Sequence, residues 1–522
     1  MAACRRRARP GLALAHWLSG IAAGALLAGS ASAQQASSEF VERYLSEDYF
    51  PGMTLLEPVV PSGSLAGAPW LVRYYKGSQR SQGSPPALLQ ASEWRELSDV
   101  IDAFVSALRL RPREQFQTPP AIFDRQGRRL QTLEDLKSAP IAFFIELGVW
   151  IWPPVRVGFE QQAEGVGKQR AVLRTLSLRP KVFEIRDFLA SEETEGVMRI
   201  GERQGLVKSQ GTMQSADLKR GIAHDSFRTS KQAWLSNGLS PLIAELDERV
   251  AQLTRVPASH NEPVQLLRYE VGQFYHGHMD WGELELYPDQ KDHWLRNHFG
   301  HEDRLATVFW YLNDVPVGGE TIFPKHNQPI CFPDSYGGVH TRYCPEAPDP
   351  DMKSCEQGLK IQPRAGTVIM WYNYHANGRG DRNSLHSGCP VGPNLTKWSA
   401  NKWVHIKPRE SRAHWVNDHP ALKRHGWQGD AVQDPNKCTF VVKNEFAEQA
   451  DIMWIRPDGD LMMLSQAAPG SEVPQSSFLG HSFRLRVGDR LSDIVTCRKG
   501  HTRATLTKDF VFRDDSASRA EL

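Results

Sequence analysis

The chain carries almost no net charge for its length: 62 Lys and Arg against 60 Asp and Glu leave +2 over 522 residues. That balance gives no electrostatic reason to expect nucleic acid, or an acidic surface, as a partner. Cysteine is also scarce. The seven are Cys4, Cys331, Cys344, Cys355, Cys389, Cys438 and Cys497, and no two stand in a Cys-x-x-Cys pair. A zinc ribbon and a dithiol redox motif therefore lack their usual ligands. Beyond residue 33 no apolar run approaches the ~20 residues that a membrane-spanning helix needs.

The N-terminus differs. Arg5 to Arg9 are basic, residues 12–28 are mostly apolar apart from His16 and Trp17, and Ala31-Ser32-Ala33 is a small-x-small cleavage pattern. These are the parts of a secretory signal peptide; an uncleaved membrane anchor is the rival reading. The final Arg519-Ala-Glu-Leu522 is a loose variant of a retention signal, so the endoplasmic reticulum lumen is the expected compartment. Once Cys4 leaves with the signal, six cysteines remain in an oxidising environment and are expected to pair. The favoured bonds are Cys355–Cys389, Cys331–Cys344 and Cys438–Cys497.

A chain this long exceeds one compact core, so several domains are expected. Residues 34–178 form a first region of uncertain fold. Within it Trp70-Leu-Val-Arg-Tyr-Tyr is similar to a thioredoxin-type strand, but no Cys-x-x-Cys follows. Residues 94–110 have helical apolar spacing at Leu97, Val100, Ile101, Phe104 and Leu108. The apolar run 141–152 reads as a pair of core strands, and 161–170 as a loop. From 179 the pattern sharpens. Ser191 reads as an N-cap followed by Glu192 and Glu193, and Ser240 with Pro241 opens a second helix. Short strands then dominate, at 264–275, 306–312, 320–323, 358–361, 367–371 and 398–406. Two helices before many short strands predict a mainly β domain over 179–408, with helices buttressing one sheet. Residues 325–356 interrupt it as a Pro- and Cys-bearing insertion, and 292–303 as a solvated loop bearing His293, His298 and His301. Residues 409–435 read as a linker. Residues 436–515 read as a small β-sandwich, with strands at 439–443, 452–455 and 483–487 and a Pro-Asp-Gly turn at 457–459.

One stretch carries chemistry: Tyr-Glu-Val-Gly-Gln-Phe-Tyr-His-Gly-His-Met-Asp, residues 269–280. Read as a strand, it presents residues two apart on one face, so His278 and Asp280 project together. His276 shares that face, and geometry alone leaves the two histidines interchangeable. An imidazole and a carboxylate side by side are two-thirds of a 2-His-1-carboxylate site, which leaves coordination positions open. His386 in Ser-Leu-His-Ser-Gly-Cys-Pro-Val offers the third ligand.

These residues carry a family resemblance. Tyr269-x-x-Gly272-Gln273-x-Tyr275-x-x-His278-x-Asp280, Arg304-Leu-Ala-Thr307-Val-Phe-Trp-Tyr-Leu-Asn313, Gly318-Gly-Glu320-Thr-x-Phe-Pro324 and His386-x-Gly-Cys-Pro-Val, followed by Lys397-Trp398 and Asn401-Lys-Trp403, resemble the prolyl 4-hydroxylases in collinear order. The resemblance implies a double-stranded β-helix (jelly-roll) core. It also implies Fe(II) held by His278, Asp280 and His386, with 2-oxoglutarate and O2 as co-substrates and ascorbate in support. Peptidyl proline would be hydroxylated at C4, with release of succinate and CO2. It selects His278 over His276. Lys397 would be the cation for the distal carboxylate of 2-oxoglutarate and would count with the three ligands as catalytic. Tyr269 and Thr307 would hydrogen-bond that carboxylate, Trp403 would wall the pocket, and Tyr275 would face the substrate. The chain has one residue more than usual between His386 and Lys397, beside the sequon Asn394-Leu-Thr396. A second resemblance, to the von Hippel–Lindau protein β-domain, rests on Trp454-Ile-x-Pro-Asp-Gly, Pro469-Gly470 and Ser477-Phe-Leu-Gly-His481. It implies hydroxyproline-peptide recognition through Trp454, Ser477 and His481, although Leu464 and Phe483 stand where an aromatic hydroxyl and an indole would be. Two other functions stay open: the same chemistry on another residue or a small molecule, and a non-catalytic binding protein.

Overall fold

In the computed structural model, the described residues are 40–59, 70–80, 87–90, 94–110, 118–167, 171–209, 228–283, 301–302, 304–329, 355–408, 437–455, 461–498 and 501–515. The expected signal peptide, retention signal, the whole linker, the Pro-Asp-Gly turn, Cys331, Cys344, His293 and His298 lie outside them, as does most of the 325–356 insertion.

The first region is a five-stranded sheet. Its elements are β1 (Met53–Val59), β2 (Leu71–Lys76), β3 (Ala87–Gln90), α1 (Leu97–Ala107), β4 (Ala121–Asp124), α2 (Leu133–Ser138) and β5 (Ala142–Ile145). The strand order is β3-β2-β1-β5-β4, and every pairing is antiparallel. An all-antiparallel sheet is not a thioredoxin-type fold. Alternation assigns the two faces of β1. Leu56 packs with Val100 and Phe104 of α1. Met53 and Leu55 point the other way, into the core shared with the next domain. The 141–152 run is one strand rather than two. After β5 the chain turns at Gly148 (φ +69°), and Trp150 and Trp152 enter that shared core without strand pairing.

The large domain continues with β6 (Glu160–Ala163), β7 (Ala171–Ser177), β8 (Val182–Ile185), α3 (Ser191–Gln204), β9 (Val207–Lys208), β10 (Lys231–Leu235) and α4 (Pro241–Thr254). It proceeds through β11 (Val264–Tyr269), β12 (Tyr275–His278), β13 (Gly282–Glu283), β14 (His301–Glu302) and β15 (Arg304–Tyr311). It ends with β16 (Thr321–Phe323), β17 (Leu359–Ile361), β18 (Val368–Tyr372), β19 (His386–Gly388) and β20 (Lys397–His405). A nine-stranded sheet of order β6-β7-β8-β18-β15-β20-β11-β10-β9 faces a four-stranded sheet of order β12-β19-β16-β17. The eight strands β11, β12 and β15 to β20 cross between the sheets as in a jelly roll, apart from the hairpin β16–β17, which stays within the smaller sheet. Residues 161–163, expected in a loop, form most of β6, because Gln161 and Ala163 turn inward and are buried.

The helices cover the outer face of the large sheet. Ser240 caps α4 by accepting from the Ile243 N–H at 3.3 Å, and Pro241 occupies the first turn. Ile243, Leu246 and Val250 are buried against the sheet, each contributing about 2 kcal/mol of apolar transfer. Ser191 is the first residue of α3 rather than its cap. Ala190 precedes the helix, and its N–H donates to the Glu193 carboxylate at 2.8 Å. Lys402 of β20 is fully buried on this outer face and pairs with Asp247 of α4 at 2.5 Å.

The last domain comprises β21 (Lys437–Asn444), β22 (Ala450–Ile455), β23 (Leu461–Ala467), β24 (Glu472–Phe478), β25 (Ser482–Val487), β26 (Arg490–Leu491), β27 (Val495–Thr496), β28 (His501–Leu506) and β29 (Phe512–Asp514). Two sheets, β24-β21-β28-β29 and β23-β22-β25-β26 with β27 beside β25, form a sandwich. Phe440 and Phe483 stack between them at 4.2 Å. Met453 and Met463 leave this sandwich and join the core of the large domain. Disulfides Cys355–Cys389 and Cys438–Cys497 are formed; the third expected pair lies outside the described residues.

Candidate active site

The stretch 269–280 is not one strand. β11 ends at Tyr269, a turn passes through Gly272 (φ +73°), and β12 spans only Tyr275 to His278 with a register shift. His278 is thus the last residue of a strand and Asp280 lies in the bend after it. Simple alternation is not what pairs them. His386 enters from β19, directly opposite His278 in the ladder.

One potential ligand atom from each of His278, Asp280 and His386 lies within 4.8 Å of the others. Asp280 Oδ1 is 3.7 Å from His278 Nε2, and Oδ2 is 3.6 Å from His386 Nε2. Each ring's other nitrogen is occupied by a backbone carbonyl. His278 Nδ1 donates to His276 O, and His386 Nδ1 donates to Ser384 O, both at 2.9 Å. A carbonyl can only accept, so Nδ1 carries a proton in each ring and each Nε2 faces the carboxylate. Burial, reinforced by the nearby His386, holds His278 well below the usual histidine range, so its ring is neutral. Burial pushes the Asp280 carboxyl up. The His386, His278 and Arg304 side chains and the Trp403 indole outweigh it, and the pKa ends lowered. Two imidazole nitrogens and an ionised carboxylate converging on one point fit a divalent iron site with open positions. His276, the competing histidine, is buried away from this point against Phe274, with ring centroids 5.1 Å apart.

Thr307 is displaced from its expected role. Its hydroxyl donates to Asp280 Oδ2 at 2.7 Å and accepts from Asn373 Nδ2 at 3.1 Å, while Asn373 Oδ1 accepts from Trp371 Nε1 at 3.1 Å. The threonine lies at the Asp280 end of β15, with Phe309 and Tyr311 following on the same face, so it supports the acid rather than any group near Lys397. Trp403, opposite Thr307 in the ladder, is buried beside it under the Arg304 guanidinium, which lies 3.8 Å over its ring. Arg304 is held by Glu262 through two bonds of 2.6 and 3.0 Å.

Lys397 begins β20 and pairs with Tyr269 of β11. The turn before it passes through Asn394, which adopts φ +58°. Its ammonium stands 5.4 Å from the Phe309 ring, 5.5 Å from Tyr269 and 5.7 Å from Tyr311. Among the described residues no carboxylate pairs with it. Burial lowers its pKa to about 7, against a weak opposing pull from Glu320. A buried cation without an internal anion is held at a cost that an incoming carboxylate would relieve.

Tyr275 stacks on His278 at 3.8 Å, and the Arg228 guanidinium lies 4.3 Å from the centre of its ring. Burial pushes its phenol up to about 12. Sequence reading missed Arg228, Asn373, Trp371 and Ser384, because no spacing rule links them to the histidines. Of these, Trp371 sits 4.6 Å from the His386 ring.

In the C-terminal domain, Ser477 Oγ lies 3.1 Å from His481 Nδ1, and the Trp454 and His481 rings are 4.8 Å apart. Phe483 is fully buried in the sandwich and cannot face a ligand. Leu464 packs partly buried against the same core.

Residues 264–405 match the family model of the 2OG-Fe(II) oxygenase superfamily. The chain is 31% identical over 264 residues to probable prolyl 4-hydroxylase 6 of Arabidopsis thaliana, covering 50% of this chain and 81% of that protein. The chain belongs to the prolyl 4-hydroxylase family. Another relative is prolyl 4-hydroxylase subunit alpha-1 of Gallus gallus, 30% identical over 45% of this chain and 37% of that protein. Among solved structures, a viral collagen prolyl hydroxylase of Paramecium Bursaria Chlorella virus-1, in its 2OG complex, is 21% identical with a TM-score of 0.28, covering 43% of this chain and 94% of that one. A Pseudomonas putida prolyl-4-hydroxylase is 15% identical with a TM-score of 0.27, covering 44% and 95%. The family's region of likeness is the jelly roll with the converging triad, and the curated relatives leave half of this chain unmatched. Among the described residues no helix is long and apolar enough to cross a membrane.

Proposed function

We propose that the protein is an Fe(II)- and 2-oxoglutarate-dependent dioxygenase that hydroxylates peptidyl proline at C4. The observation that carries this reading is the convergence of His278, Asp280 and His386 in a family member whose interior also holds a carboxylate-seeking Lys397. The iron, with 2-oxoglutarate and O2, supplies the oxidising chemistry when bound, releasing succinate and CO2; ascorbate keeps the metal reduced. The protein's own work is placement. His278 and His386 present Nε2 because their Nδ1 protons are spent on backbone carbonyls. Thr307 holds Asp280 in orientation. Lys397 anchors the distal carboxylate of 2-oxoglutarate, with Tyr269 beside it. The aromatic walls, Phe309, Trp371 and Trp403, exclude water. Tyr275 and its stacked Arg228 border the position where a peptide would lie. A proline-containing peptide is the substrate class, and the secretory pathway is the compartment the N-terminal pattern favours.

The test is the full-length protein with Fe(II), ascorbate, 2-oxoglutarate and a proline-rich peptide, read by mass spectrometry. Addition of one oxygen to proline is the expected result. Succinate release without peptide oxidation would redirect the proposal to another residue or a small molecule. No consumption of 2-oxoglutarate would leave a binding protein.

The clustering of Trp454, Ser477 and His481 favours a second role for the C-terminal sandwich, retention of the proline or hydroxyproline chain. Calorimetric titration of full-length protein with hydroxyproline peptide, against His481→Ala, tests it. Equal affinities would remove the idea.

A further inference from the structure

Residues 373–385 leave β18 and return to β19 through the interior instead of over the surface. Asn373, Tyr374, Ala376, Asp381 and Ser384 are all buried. Connections that run inside a protein are uncommon, because each backbone polar group then needs a partner. Here the partners come from two directions.

One side is the N-terminal sheet domain. The Leu147 N–H donates to Ala376 O at 2.8 Å, and the Asn377 N–H donates to Pro51 O at 3.1 Å. Gly52 (φ +82°) lies so close that a Cβ there would stand 2.0 Å from Asn377 N, so only glycine permits the contact. Lys181 of the large domain, 2% exposed, exerts the strongest charge attraction on Asp381, which is 3% exposed. Lys181 also feels Asp48, and Asp48 is tied to Arg179 at 2.9 Å.

The other side is the triad. Trp281, next to Asp280, donates its indole N–H to both Asp381 O and Ser384 Oγ at 3.1 Å. Ser384 Oγ closes the turn on Asp381 O at 2.7 Å. The same Ser384 offers its carbonyl to His386 Nδ1. Gly380 lies under the Trp281 ring, where a Cβ would come within 2.2 Å. At the start of the segment, Asn373 holds Thr307, which holds Asp280. The connection therefore supports two triad members, and its opposite edge is fastened to a domain that contributes no candidate ligand.

We propose that residues 373–385 are a strap through which the N-terminal sheet domain positions His386 and Asp280, making that domain a working part of the metal centre. Gly52, Asn377, Asp381 and Ser384 are positioning residues. The inference rests on the reading of the triad as an iron site. Outer partners of metal ligands typically change affinity by about 10–100-fold when lost.

The experiment is anaerobic Fe(II) titration of full-length apo-protein, paired with Co(II) absorption spectra as a geometry-sensitive signal and with thermal melts. Gly52→Ala is expected to weaken Fe(II) binding by about 10–100-fold and to change the Co(II) spectrum while circular dichroism stays native. Phe104→Leu, which loosens the N-terminal domain on its far face, is expected to lower the melting temperature with metal affinity unchanged. Should Gly52→Ala fail to fold, Asn377→Pro removes the N–H on the strap's side of the same contact and decides the question. Folded Gly52→Ala or Asn377→Pro protein that binds Fe(II) as the wild type does overturns the strap. Equal loss of affinity in Phe104→Leu also overturns it, since general loosening would then suffice. A wild-type protein that binds no Fe(II) overturns the metal reading itself, an outcome separable from the other two.

Discussion

The two ends of the jelly-roll interior hold their charges in opposite ways. At one end Asp280 is surrounded by partners: two imidazoles, the Thr307 hydroxyl and, further out, Arg304. At the other end Lys397 meets three aromatic rings and, among the described residues, no carboxylate. The first end is prepared for a group that stays, and its donors are oriented before the metal arrives. The second is prepared for a group that comes and goes, because a buried ammonium without an internal anion gains most from an external one.

That contrast can be broken experimentally. Asp280→Ala should have the largest effect, abolishing turnover and weakening Fe(II) binding by more than the ~100-fold reached through outer partners alone; metal analysis of the purified protein checks it. Retained stoichiometric iron would mean that the preorganised end is elsewhere. Lys397→Ala should leave Fe(II) affinity intact and raise KM for 2-oxoglutarate by roughly 30–150-fold, the worth of about 2–3 kcal/mol for a charge-assisted bond. A fall in kcat with unchanged KM would show that the lysine does not meet the co-substrate. Thr307→Val should reduce Fe(II) affinity by about tenfold, the low end for an outer partner, with KM for 2-oxoglutarate nearly constant. The opposite split would restore the threonine to the carboxylate end.

The smallest effect is on pH. Burial lowers Lys397 to about 7, and only its protonated form attracts a carboxylate. Affinity for 2-oxoglutarate should therefore fall about fivefold between pH 7 and 8, and Lys397→Met should flatten that slope. The sign for folding is reversed. An unfolded lysine keeps its proton to higher pH than Lys397 does, so above pH 7 the unfolded state binds more protons. Ligand-free protein then gains stability from this group as pH rises toward the ordinary lysine range. Bound 2-oxoglutarate should remove the gain.

The same division separates what was legible in sequence from what was not. The strands at 306–312 and 367–371 were readable as largely apolar runs and that at 398–406 by its strand-favouring Trp398, Trp403, Val404 and Ile406, and they became β15, β18 and β20 within two residues. The second helix was readable because Ser240 and Pro241 announce it. Ser191 misled, since Glu193 does the capping from inside the helix. The five-stranded N-terminal sheet was nearly invisible. Its strands are short, and β1 is buried on both faces, which erases alternation. The support for the triad was equally hidden: Trp281 reaches Ser384 across 103 positions, and Asn373 reaches Thr307 across 66.

By itself the sequence determined which side chains are chemically suited to hold iron, and in which order they occur, because ligand type and local spacing are properties of the chain. Only the tertiary structure decided that Asp280 sits in a bend beyond β12, that the Thr307 hydroxyl meets the acid, and that a buried connection links the first domain to His386. Those outcomes depend on which strands become neighbours. Hydrogen bonds and burial act over a few ångströms in space, and residues far apart along the chain meet at that range only after it has folded.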